Sequence, residues 1–177
     1  GDGVASGGVS ATPFAPAGAP TDLLATGGAG LVSLACGPTV DLAKALTLTE
    51  VVTGWHDAGV VEGKNKIVPA IAFKLKNGSE LALGSLQVNA IFRRVSEPDE
   101  WGSGFQKITG SDGLKPGAST DLIAINSQRG YTGEESRADM LKNRQFVDAK
   151  VEVFAKYGSS NWTKLGEYQI TRQLEAR

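Results

Sequence analysis

The sequence predicts an all-β fold: an antiparallel β-sandwich of about seven strands with one short helix in a loop, preceded by a long extended N-terminal tail. Three observations predict it. From residue 46 onward apolar side chains recur at every second position, the period of a strand with one face in a core and one in water. Turn chemistry (Asn77-Gly78, Pro98-Asp99, Lys115-Pro116-Gly117, Gly158-Ser159) separates those runs. Residues 1 to about 40 are instead built of Gly, Ala, Ser, Thr and Pro, with Asp2 and Asp22 their only acids and Lys44 the first base.

Such a tail cannot bury enough apolar area to offset its own ordering entropy. It reads as a partner-docking segment over 1–43, with the sandwich over 44–177. Its candidate contacts are Phe14, Leu23, Leu24, Leu31, Val32 and Leu34. Leu23 to Val40 carries no charge, but Gly27, Gly28, Gly30, Gly37 and Pro38 interrupt it, so a docking stretch is preferred to a membrane span. The chain starts at Gly1 and its only methionine is Met140. Cleavage of a secretory signal or trimming of the chain would each produce such a start, and the first implies a periplasmic location.

The strands follow in order. Leu46–Trp55 is the first candidate. Ile67, Ile71, Phe73 and Leu75 make the face of the second, where Pro69 lacks a ladder donor and implies an edge or a bulge. Leu86, Val88, Ala90 and Phe92 alternate with Gln87, Asn89 and Arg93. Trp101–Ile108 and Thr120–Ser127 come next, and Glu134–Asn143 reads as the one helix, with Ala138, Met140 and Leu141 facing inward. Phe146 opens the clearest strand, with Val147, Ala149, Val151, Val153 and Ala155 on one face. Trp162–Leu174 closes the set, and Gly166 within it suggests a bulge.

The run Lys66-Ile-Val-Pro-Ala-Ile-Ala-Phe-Lys-Leu-Lys-Asn77, then Leu86-Gln-Val-Asn-Ala-Ile-Phe92, Leu114-Lys-Pro-Gly117 and Val151-Glu-Val-Phe154, resembles bacterial immunoglobulin-like domains of the FxLYD type. The resemblance spans residues 46–174. It implies an Ig-like sandwich serving as an extracytoplasmic binding or structural module, with no catalytic residues to carry over. The helix at 134–143 and the 40-residue tail depart from the pattern.

Chemistry-bearing residues are sparse. A single cysteine, Cys36, leaves no internal disulfide, and a single histidine, His56, disfavours a histidine metal site. Trp55-His56-Asp57 suggests a general base, yet neighbours on a strand point to opposite faces and no Gly-x-Ser-x-Gly elbow is present. Glu97, Asp99 and Glu100 beside Trp101 read as a solvated turn around Pro98, and with Asp112 they lack a calcium-loop pattern. Gly102-Ser103-Gly104 lacks the strand–turn–helix setting of a phosphate cradle. A net charge of −1 and scattered Arg93, Arg94, Arg129, Arg137, Lys142 and Arg144 disfavour nucleic acid. Trp55 and Trp162 fall at strand ends, whereas Trp101 and Tyr131, in loops, are candidate partner contacts.

The expectation is therefore a non-enzymatic accessory or structural subunit without metal or cofactor. Its partners would be protein subunits of a large extracytoplasmic or membrane-associated bacterial assembly, and any membrane contact would run through that complex. One concrete version is the periplasmic face of an energy-converting or photosynthetic complex. The alternative is a free extracytoplasmic ligand- or glycan-binding module.

Overall fold

The computed structural model describes residues 39–175. In chain order its elements are α1 (Leu42–Ala45), β1 (Leu46–Val61), β2 (Lys64–Asn77), β3 (Gln87–Arg94), β4 (Gly102–Lys107), β5 (Ile123–Asn126), β6 (Tyr131–Gly133), α2 (Arg137–Lys142), β7 (Ala149–Lys156) and β8 (Thr163–Gln169). The strands make two antiparallel sheets. One runs β1-β2-β5, with β6 also paired to β2, and the other runs β4-β3-β7-β8. The β-sandwich expected from alternation is the fold found.

β1 and β2 form one long hairpin closed by Glu62 and Gly63, whose φ values of 50° and 76° are both left-handed. A two-residue turn of that hand matches the twist of the strands it joins, and Gly63 adopts it without a Cβ clash. The core lies between the sheets. Val88, Ala90 and Phe92 of β3 stand opposite Ala155, Val153 and Val151 of β7, and all six are buried. Ile67, Ile71, Phe73 and Leu75 of β2 face them from the other sheet within the same cluster.

The two sheets are drawn together along both sides. At one side β4 meets β5: a Cβ on Gly104 would lie 2.3 Å from Ile125 Cγ2, and one on Gly102 would lie 2.1 Å from Ser127 Oγ. Gly102-Ser103-Gly104 is thus a packing device. At the other side Thr53 Oγ1 donates to Gln169 O at 2.9 Å and accepts from Thr171 N at 3.1 Å. The chain then runs alongside β1. Trp55 N donates to Gln173 O at 2.7 Å, and Glu175 N donates to Trp55 O at 3.0 Å.

Several local expectations change. Pro69 is on neither an edge nor a bulge, because β2 is the central strand. Opposite Trp55, it directs its carbonyl to Ser127 N, where the ladder passes from β5 to β6. The missing N–H therefore faces an interruption in pairing. Trp55 is mid-strand rather than at a strand end, since β1 continues to Val61. Tyr131 belongs to strand β6, and α1 is a second helix whose Leu42 is buried in the core. Phe146 is buried ahead of β7 instead of opening it. In α2 only Met140 and Leu141 turn inward, while Ala138 is exposed, because Ser136 caps the helix and sets a different face. β8 ends at Gln169, and residues 171–175 leave to join β1. The register shift opposite Gly166 is present, between Val153 and Phe154.

Asn77 fastens the loops beyond β2. Its buried amide donates to Leu81 O and Leu114 O, both at 2.8 Å, while its Oδ1 accepts from Ser79 N and Ser79 Oγ. Asn77→Ala leaves two carbonyls without that donor and should lower unfolding free energy by about 2–3 kcal/mol. Urea denaturation checks this, with Ser79→Ala expected to cost clearly less.

Candidate functional site

Phe14, Leu23, Leu24, Leu31, Val32 and Leu34 lie outside the described residues. Trp101 and Tyr131 are brought together, with ring centroids 4.9 Å apart. Trp55 and Phe146 complete the group: Trp55 lies 5.7 Å from Tyr131 and 4.7 Å edge-on from Phe146. Tyr131 and Trp101 are half-buried, and Tyr131 Oη donates to Val147 O at 3.2 Å. Burial raises the Tyr131 phenol above its ordinary value, with Arg94 opposing. Arg94 lies over Trp101 and Arg172 over Phe146, and Arg172 is held by Asp148 at 2.6 Å. Beside this cluster a cavity of about 240 Å³ opens between β6 and α2.

His56 and Asp57 diverge as strand neighbours must. His56 Nδ1 is 3.6 Å from Glu175 Oε2, whereas Asp57 pairs with Arg137 and accepts from Gly59 N. Burial raises the Glu175 carboxyl, and His56 acts against that rise. Glu97 pairs with Arg94, and Pro98 O accepts from Arg93, so this acidic turn is tied to the end of β3.

The outer faces of the two sheets differ. On β1-β2-β5, Val52, Ala72 and Ala124 stand side by side in register. With Leu122, Leu174, His56, Asn126, Gln173 and Glu175 they line a groove of about 540 Å³. Val52 is 52% and Leu122 58% exposed. What the groove offers is apolar contact, rimmed by amides and one His–Glu pair.

On β4-β3-β7-β8 the outer face carries charge. Glu152 receives Arg93 Nε at 2.9 Å and Lys164 Nζ at 2.7 Å, and Lys164 and Lys150 also hold Glu167. Phe105 and Trp162 stand exposed on the same sheet. Sequence reasoning missed Val52, Phe105, Leu122 and Phe154 as outward apolar residues, although adjacent pairs signalled three of them. In Val51-Val52, Leu122-Ile123 and Val153-Phe154 one member of each pair must face away from the core.

No family model matches the chain, and no curated protein matches it. Among solved structures, the X-ray structure of Northeast Structural Genomics Consortium target SoR45 is similar over 73% of this chain and 88% of its own, with a TM-score of 0.41 and 12% identity. A likeness of that size bears on neither ligand nor activity.

Two outcomes follow from this geometry. Trp101→Ala should destabilise the sandwich by about 3 kcal/mol, since the ring packs on the core cluster; thermal and urea unfolding read it. Hydrogen bonds from Lys164 and then Arg93 hold Glu152 at about 2, below its ordinary 4.5. A depressed acid stabilises the fold above its unfolded value, and that contribution fades as pH falls toward the folded one. The stability gap between the native protein and Glu152→Gln should therefore be full at pH 7 and shrink between about pH 4.5 and pH 2.

Proposed function

We propose that this chain is a non-enzymatic structural subunit that docks onto a larger protein assembly through the outer face of β1-β2-β5. The observation that carries this is the groove lined by Val52, Ala72, Leu122, Ala124 and Leu174. Solvated faces of antiparallel sheets are ordinarily polar, and a contiguous apolar patch rimmed by polar groups marks an interaction surface. The small side chains of Ala72 and Ala124 let a partner come close to the sheet, and the exposed Val52 and Leu122 supply the apolar area at its centre.

The setting proposed is an extracytoplasmic, bacterial one, in the manner of Ig-like modules that act as rigid platforms. The assembly would be membrane-associated, with the periplasmic face of an energy-converting or photosynthetic complex as one form of it. The N-terminal tail would add contacts to neighbouring subunits through Leu23, Leu24, Leu31, Val32 and Leu34. No helix among the described residues is long and apolar enough to cross a membrane; the membrane association proposed runs through the partners.

Gentle extraction from native cells followed by gradient sedimentation tests this reading. The protein should travel with a complex far larger than itself, and Val52→Glu with Leu122→Glu should shift it to the free fraction while circular dichroism stays unchanged. A native protein that sediments alone overturns the proposal.

A further inference from the structure

A second surface lies on the opposite sheet and does not depend on the groove. Directly opposed residues of antiparallel strands share a face. Lys107, Gln87 and Lys156 therefore form one outward row across β4, β3 and β7, and Phe105, Asn89, Phe154 and Lys164 form the next, reaching β8. Trp162, just before β8, meets Phe105 edge-on, with centroids 6.3 Å apart and planes at 82°. Rings from opposite margins of the sheet thus meet across its outer face. They stay open to water, Phe105 at 59% and Trp162 at 41%.

The charge pattern beside these rings is uneven. Farther along the sheet, Arg93, Lys150 and Lys164 are neutralised by Glu152 and Glu167. At the aromatic end, Lys107 and Lys156 have no carboxylate partner among the described residues, and Lys156 Nζ sits 5.1 Å from the Trp162 ring centroid. Aromatic faces are electron-rich and attract the polarised C–H face of a sugar ring. Amides of Gln87 and Asn89 can each donate and accept, as hydroxyl recognition requires. Two uncompensated ammonium groups add an anion preference.

We propose that this face binds a carboxylated saccharide chain, with pyranose rings on Trp162 and Phe105, hydroxyls on Gln87 and Asn89, and carboxylates on Lys107 and Lys156. A nucleic-acid strand suits the face less well. Its closely spaced phosphates need a long cationic track, and here the track ends at Glu152 and Glu167.

Affinity electrophoresis of the full chain in gels containing polygalacturonate tests the assignment, with dextran and single-stranded DNA gels alongside. Retardation by polygalacturonate alone is expected, weakening as salt rises. Trp162→Ala should weaken it about tenfold, the loss expected of one stacked ring. Lys107→Gln with Lys156→Gln should abolish it, and Ala138→Glu, at an exposed position of α2, should leave it unchanged. Circular dichroism confirms that each variant is folded. Absence of retardation, equal retardation by DNA, or full retardation of Trp162→Ala overturns the proposal.

Discussion

Trp55 is the residue on which the rest of the sandwich depends, because it serves the core and the chain closure at once. Its indole is fully buried against Tyr131, Phe146 and Trp101. Its backbone N–H and carbonyl point away from β2, to Gln173 and Glu175. In an antiparallel pair such a residue exchanges no hydrogen bonds with its direct neighbour. That neighbour is Pro69, whose absent donor is thereby kept out of the β1 ladder. One position thus fixes the register of the central hairpin, fills one end of the core and seats the last strand-like segment of the described chain. Thr53, two residues earlier, stitches β8 to the same margin through its hydroxyl.

Period-two alternation made most of the fold legible. Leu86 to Phe92 and Ala149 to Ala155 are buried at the alternate positions the pattern specifies, since one residue of slip would turn every apolar side chain to water. Less legible were features set by distant contacts. Glu62 in a left-handed turn gives no strong composition signal, so alternation alone yields two shorter strands in place of the long hairpin. β6 is three residues long and exists because it pairs with Asn65–Ile67. Pro69 suggested an edge, and only the interruption between β5 and β6 explains its place in a central strand.

The site was harder to read than the fold. Trp101 and Tyr131 are conspicuous loop aromatics in sequence, yet both pack on the core cluster. Aromatics exposed to solvent instead stand on strand margins, as Phe105 and Trp162 do. Face assignment, which depends on bulges and register, decides between these fates. The outward Val52 follows the register shift between Thr49 and Val52, and a shift of one residue reverses which of two neighbouring valines meets water.

The two sheets therefore present different chemistry on one rigid support. The β1-β2-β5 face carries an apolar groove, the proposed seat of a protein neighbour, while the β4-β3-β7-β8 face couples aromatic rings to a strip of charge. Site-specific photo-crosslinking from position 122 in native cells tests the docking account most directly. The account predicts one discrete crosslinked protein product from Leu122, and none from the exposed Ala138 on α2. Equal diffuse labelling from both positions, or no product from 122, would contradict it.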